Sequence, residues 1–177
     1  TYAQSNRPFE IVYGMPEEEG TANELHEAVR VAYTARRLRT GKAGLVGFHA
    51  PGFIDMHADP FLLNTELGMQ FHHFSIGDFL KQMDQFEQGQ VDQEVENTRS
   101  LNLPLEDVSE EHFSTDAKYY LTMKALMEAQ SIDALAVRDW PELSDTVGQW
   151  PYVAMTRLSS EGAAIGCEGD VDGAISC

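Results

Sequence analysis

Cations are scarce in this chain. Its 177 residues hold 12 Lys plus Arg against 29 Asp plus Glu, a formal net charge of −17 with neutral histidines. Nucleic-acid binding depends on neutralising phosphates with cationic side chains, so that class of partner is excluded, and an anionic membrane surface is disfavoured for the same reason. Cysteine is nearly absent: Cys167 and Cys177 are too few for a disulfide framework and fit a reducing compartment as well as any other, and a cytoplasmic location is expected. No apolar run approaches the ~20 residues needed to span a bilayer, so a soluble protein without a membrane partner is expected. Phosphate-cradling loops are missing too. Gly44-Leu45-Val46-Gly47 is too short and lacks a third glycine, which weakens a nucleotide-binding reading.

What is present suffices for a core. Hydrophobic residues make up 42% of the chain and aromatics 10%, which argues against wholesale disorder. The length suits one domain or a little more. The chain opens Thr1-Tyr2-Ala3-Gln4 without an initiator Met and closes Gly173-Ala174-Ile175-Ser176-Cys177 in what reads as the start of a new element. Either a trimmed chain or an internal piece of a longer polypeptide is expected.

The local patterns alternate between strand and helix. Ile11-Val12-Tyr13-Gly14 reads as a short strand, and Thr21 with Glu24 as a capping box for a helix that ends at Arg36-Arg37-Leu38-Arg39 before Gly41. Ala43 to Phe48 is a short apolar run bounded by glycine, the pattern of a buried parallel strand. A Gly/Pro-punctuated loop follows from His49 to His57. Asp59-Pro60 opens a helix closed by Gly68, Met69 to Phe74 is the next strand, and Ser75 or Gly77 leads into a further helix. Strand, loop, helix, strand, helix is the order of βαβ units. The acidic run 84–111 reads as a solvated connection between two halves. Ser114-Thr115-Asp116 is then expected to cap a long helix whose Tyr119, Tyr120, Met123, Leu126 and Met127 face a core. Asp133 to Val137 and Pro151 to Thr156 are the last two expected strands.

Open α/β sheets place ligands beyond the carboxyl ends of their strands. Arg138, Trp140 and Glu142 fall there after one strand, and Arg157 after the other, which makes the first three candidate substrate-binding residues. Glu168 lies between Cys167 and Gly169, where an apolar stretch turns into a Gly-flanked acidic run. Carboxylate oxygens suit Mg²⁺ or Mn²⁺, so Glu168, Asp170 and Asp172 form either a metal site or a solvated helix start; they are not a calcium hand. His72 and His73 sit in one expected strand and point to opposite faces. His49 and His57 share the loop after the first strand, where a sugar contact, an interface role or plain loop packing are all open; His49 is carried as a candidate substrate-binding residue. Zinc ligands at finger-like spacing are missing, and no His lies near Cys167 in sequence to activate it.

Three stretches resemble a specific family. Asp133 to Trp140, Pro151-Tyr152-Val153-Ala154, and above all Gly166-Cys167-Glu168-Gly169-Asp170-Val171-Asp172-Gly173-Ala174 look like the central region of the L-fucose isomerase and L-arabinose isomerase superfamily of ketol isomerases. Gly47-Phe48 with the His49 to Phe53 loop, and Phe61 to Met69, are similar as well. The resemblance implies an α/β fold, with a doubly wound parallel-sheet domain over 1–112 followed by the beginning of a second α/β catalytic domain over 113–177. It implies aldose–ketose interconversion at a divalent metal, usually Mn²⁺, with Mg²⁺ or Co²⁺ as alternatives. Glu168 would be both catalytic, as one of two carboxylates that relay a proton between neighbouring sugar carbons, and a metal ligand. The second carboxylate, an aspartate, and a histidine ligand have no counterpart before Cys177. A small-molecule sugar substrate and a homo-oligomer, trimer or hexamer, are further implications. The competing expectation is a non-catalytic sugar-binding or assembly module on the same scaffold.

Overall fold

The computed structural model describes residue 4 and residues 9–102 and 107–177, so residues 103–106 of the acidic run and most of the first eight residues lie outside the described part. The chain divides into two compact units, Thr1–Thr40 and Gly41–Cys177. The first is built on α1 (Glu19–Thr40), a 22-residue helix without a buried residue. It begins before the expected cap: Thr21 lies inside the helix and its hydroxyl donates to Glu18 Oε2 at 3.1 Å. Ile11-Val12-Tyr13 does not form a strand. Arg37 and Arg39 stand in the last turn, where they oppose the partial negative charge of the free carbonyls.

The second unit runs β1 (Lys42–Val46), α2 (Pro60–Leu62, continued by a wider turn over Leu63–Leu67), β2 (Gln70–Phe74), α3 (Ile76–Met83), α4 (Gln88–Ser100) and α5 (Glu110–Gln130). It continues through β3 (Ala134–Val137), α6 (Ser144–Val147), α7 (Tyr152–Ser160), β4 (Ala164–Gly166) and α8 (Val171–Ser176). Two local starts form as the sequence suggests. The Asp59 carboxylate accepts from the Phe61 and Leu62 amides with Pro60 at the first helical position, and Ser75 accepts from the Asp78 amide.

Four strands, two on either side of residue 112, form one all-parallel sheet in the order β2-β1-β3-β4. Ala43 pairs with Phe71 on one side and Ala134 on the other, and Ala134 pairs with Ala164. Side chains alternate across it. One face presents Val46, Leu135 and Val137, which pack against Phe79 and Met83 of α3, Tyr119, Tyr120 and Met123 of α5, and Ala154, Met155 and Leu158 of α7. The other presents Leu45 among small residues, Ala43, Ala134 and Ala136, and α8 lies against β1, β3 and β4 there. That approach is close: a Cβ on Gly166 would stand 2.2 Å from the Asp170 carbonyl oxygen and 3.1 Å from the Ala174 Cβ. Helices therefore cover both faces, as the doubly wound reading requires. After β1 the chain winds to one side to make β2, then crosses to the other side of β1 to make β3. The carboxyl ends of β1 and β3 thus flank a topological switch point.

Three expectations need correction. Residues 151–156 are not a strand but most of α7, which Pro151 precedes; the buried positions 154, 155, 157 and 158 follow helical spacing. Arg157 consequently leaves the strand ends altogether. It is buried between helices, with Nη2 on Glu94 Oε1 at 2.5 Å, Nη1 donating to Thr98 Oγ1 at 2.7 Å, and its guanidinium 4.3 Å from the Tyr120 ring centre. The cap of α5 is Ser109, five residues before Ser114, and Asp116 is a buried side chain whose Oδ1 accepts from the Ala154 amide at 2.8 Å. The acidic run is also less solvated than its composition suggests, since Val91, Glu94, Val95 and Thr98 of α4 are buried.

Candidate active site

The segment between β4 and α8 is a tight turn. Glu168 adopts φ = +56°, in the left-handed region, which costs a residue with a Cβ roughly 1–2 kcal/mol. Neighbouring segments hold it there. The Glu168 amide donates to Asp139 Oδ1, just past β3, and its carbonyl accepts from the Ala50 amide at 2.9 Å. The Gly169 amide donates to the Val137 carbonyl at 3.0 Å, and the Asp170 amide to the Cys167 carbonyl at 2.8 Å. Gly169 (φ = +76°) is required by space as well as by backbone: a Cβ there would lie 2.6 Å from the Phe48 carbonyl oxygen and 3.0 Å from the His49 Cα. The turn is thereby pressed against the segment that leaves β1.

His49 belongs to this assembly. Its Nδ1 lies 2.8 Å from the Gly169 carbonyl, which only accepts, so Nδ1 carries the proton. Its ring stacks on His57 at 4.5 Å between centres. Burial lowers the His49 pKa below its ordinary value, the bond to Gly169 works the other way, and His57 and His73 lower it further. The neutral imidazole thus serves as a packing and hydrogen-bonding group under the turn.

Arg138 and Glu142 occupy a second part of the same edge. Arg138 Nε lies 2.6 Å from Glu142 Oε2, and both line a cleft of about 550 Å³ with Gly47, Phe48, His73 and Ile76. That volume is within the range of small-molecule sites. Trp140 lies between them in sequence, partly exposed and followed by a cis bond to Pro141. All five sequence-derived candidates therefore sit at the carboxyl edge of the sheet, Trp140 and Glu142 in a wide helical turn over Asp139–Leu143. Arg138 and Glu142 line the cleft beside β2, whereas His49 packs against the Glu168 turn beside β4.

Sequence reasoning missed Asp139 and Tyr152. Asp139 has no exposed surface, and its signal was its place directly after a strand end. Tyr152, which opens α7 instead of lying in a strand, faces Asp139. Burial first, then the neighbouring Asp139 carboxylate and the charge of Glu168, raise its hydroxyl pKa far above normal, so it remains protonated. Tyr152 also stacks on Trp150 at 5.4 Å, leaving an aromatic pair partly exposed. The Cys167 thiol is pushed up by burial and by Asp139 and Glu168, which leaves it protonated and a poor nucleophile at neutral pH.

The Glu168 carboxylate takes no hydrogen bond or ion pair from the described residues, which leaves its oxygens free for a ligand. Its chemistry suits a hard divalent cation. The donor set is incomplete, however: Asp170 spends its carboxylate on the Gly173 amide as the cap of α8, and no three His, Cys, Asp or Glu side chains converge among the described residues. Glu168, Asp170 and Asp172 are thus not a shared site, and Glu168 fits a metal as a single ligand.

Comparison with known proteins agrees with this architecture. The chain is 27% identical over 169 residues to a sulfoquinovose isomerase of Priestia aryabhattai, and equally so to one of Priestia megaterium. It is 24% identical over 174 residues to a sulfoquinovose isomerase of Alkalicoccus urumqiensis. These alignments cover 96–97% of this chain but 38–39% of the relatives, so the chain spans under two fifths of the length of the proteins it matches. Residues 58–176, from the loop after β1 through α8, match the family model of the L-arabinose isomerase central domain. With two thirds of its length in that match, the chain belongs to the L-arabinose isomerase central domain family, within the L-arabinose and L-fucose isomerase superfamily.

Proposed function

We propose that this chain is the central portion of an aldose–ketose isomerase that moves a proton between adjacent carbons of an open-chain sugar through an enediol. The observation that carries the reading is the free carboxylate of Glu168, held on a left-handed turn beside the switch point of a sheet of this family. Glu168 removes the proton from the carbon next to the aldehyde, the electron pair left behind forms the carbon–carbon double bond, and the aldehyde oxygen takes up the proton that the hydroxyl on the second carbon gives up as the ketose carbonyl forms. Return of a proton to the neighbouring carbon gives the ketose, and a second carboxylate outside this chain does that work. A divalent cation, when bound, would polarise the carbonyl and the adjacent hydroxyl, with Glu168 as one of its ligands.

Arg138 and Glu142 bind the sugar in the cleft. Their ion pair leaves guanidinium donors and a carboxylate acceptor for hydroxyl groups, and Arg138 can also meet an anionic substituent. Trp140 supplies an apolar face to the ring carbons. His49 supports the turn and meets the sugar through its free Nε2. Because the relatives are sulfoquinovose isomerases, a sulfonated aldohexose is the first substrate to try, ahead of L-arabinose and L-fucose. A cytoplasmic homo-oligomer, trimer or hexamer, completes the reading, and native mass checks the assembly.

The test uses the full-length protein. Aldose and ketose are followed by proton NMR in D₂O with each of the three sugars, before and after chelation and re-addition of Mn²⁺. Conversion with deuterium entering at the first carbon of the ketose and, on reversal, at the second carbon of the aldose, and a loss of about 10²-fold or more in Glu168→Gln, are expected. Sugar binding without turnover would leave the non-catalytic module instead, and full turnover in a folded Glu168→Gln variant would remove Glu168 from the chemistry.

A further inference from the structure

We propose that Asp139 is a positioning residue for Glu168, acting through the Glu168 backbone amide. The inference rests on the proton-transfer reading of Glu168. Five hydrogen bonds fix the turn from Cys167 to Asp170, and four of them involve groups that any sequence of this backbone would supply or a neutral His49 ring. The fifth comes from a carboxylate with no exposed surface, 29 residues away in sequence, just past a different strand. A fold gains little from burying a carboxylate where a neutral acceptor would serve, because removing charge from water is costly. It gains something specific here: a charged acceptor makes a stronger bond to an amide than a carbonyl does, and this amide belongs to the one residue of the turn whose backbone is strained without being glycine.

The geometry links position to chemistry. With the Glu168 amide tied to Asp139 and its carbonyl tied to Ala50, both peptide planes flanking the Glu168 Cα are held. The direction of the Cα–Cβ bond follows from those planes, so the carboxylate is aimed by backbone anchors rather than by contacts of its own. Loss of the Asp139 oxygen would let Glu168 relax toward an ordinary backbone conformation and swing its carboxylate away from the sugar. A misplacement of about 1 Å lowers turnover by roughly 10²-fold.

Asp139→Ala, Asp139→Asn, Glu168→Gln and Val91→Ala are compared in the full-length protein by kcat, KM and thermal unfolding. Val91 lies in the small core under α4, away from the edge, so its truncation reports what loss of stability alone does to turnover. Asp139→Ala is expected to lower kcat about 10²-fold with KM within about threefold. Asp139→Asn, which keeps an oxygen where the amide needs one, is expected to restore kcat to within about tenfold of the parent. If Asp139→Ala does not fold, Asp139→Ser replaces it, because the shorter side chain leaves the acceptor out of reach. Parental kcat in the Ala or Ser variant, or a loss no larger than that of an equally destabilised Val91→Ala, overturns the inference while an inactive Glu168→Gln keeps the proton-transfer reading. A fully active Glu168→Gln overturns both.

Discussion

Asp116 gives the chain a pH dependence that can be worked out in sign and size. The carboxyl group lies between α5 and α7, 4% exposed, and burial raises its pKa from 3.8 to about 6 against the opposing effects of the Ala154 amide and Arg157. A carboxyl group whose pKa is higher in the folded state binds its proton more tightly there than in the unfolded chain. Folding is therefore favoured by protonation, and this contribution is fully present below about pH 4 and lost as pH rises through about 6. The shift of roughly two units corresponds to about 3 kcal/mol between those limits, of which about 1.4 kcal/mol falls between pH 8 and pH 5. Asp116→Asn keeps the acceptor for Ala154 and removes the titration. The variant is expected to be more stable than the parent by up to about 3 kcal/mol at pH 8, with the gap narrowing to about half of that at pH 5. Urea unfolding of both proteins at pH 5, 6, 7 and 8 measures the difference while cancelling the titration of the other carboxylates. Two curves that stay parallel across this range, within about 0.3 kcal/mol, would refute the argument.

Two further perturbations test other parts of the fold. Gly169→Ala places a Cβ against the backbone of Phe48 and His49 at a left-handed φ, and the combined strain and overpacking should cost about 2–4 kcal/mol and lower turnover by displacing the Glu168 turn. Unfolding midpoint and kcat measured together decide it, and a variant unchanged in both contradicts the close approach of the two loops. In the buried Arg157–Glu94 pair, Glu94→Gln should cost about 3–5 kcal/mol by leaving the guanidinium without its counter-charge. Pairing it with Arg157→Met should recover much of that loss in the same denaturation experiment, and equal stability of the single and double variants would show that the pair is not coupled.

Three of the four parallel strands were legible, β1 and β3 as short apolar runs ended by glycine or a polar loop and β2 as the segment after a helix closed by Gly68, whereas the three residues of β4 read only as an apolar stretch. Ala43 to Val46 and Ala134 to Val137 are buried on both faces, and such strands need no alternation to be recognised. Asp59-Pro60 and Ser75 were readable as helix starts because a cap acts on amides two or three residues ahead. The same locality misled elsewhere. Ser114-Thr115-Asp116 has the residue types of a cap, yet Ser109 begins α5, and nothing within a few residues distinguishes the two serines. In Pro151 to Thr156 a strand and a helix are equally compatible with six residues. Only the continuation to Leu158, with Ala154, Met155 and Leu158 on one face, selects the helix.

The candidate site divides along the same line. Arg138, Trp140 and Glu142 could be placed because topology alone puts the residues after a parallel strand at the carboxyl edge, whatever the side chains then touch. Glu168 could be singled out because its neighbours on both sides are small or apolar and the motif resembles a family. Asp139 was visible in the same pentapeptide and passed over, since its role depends on a partner 29 residues later and on a main-chain amide, which has no residue type to recognise. Arg157 failed in the opposite direction: a cation at an expected strand end looked like a ligand group, and its true partner, Glu94, lay 63 residues earlier in a run whose charge suggested solvent. In both cases burial is the missing variable. A buried charge must find an opposite charge or strong hydrogen bonds, and those partners come from wherever the fold brings them. The residues that hold the candidate catalytic group in place are therefore harder to read from sequence than the group itself.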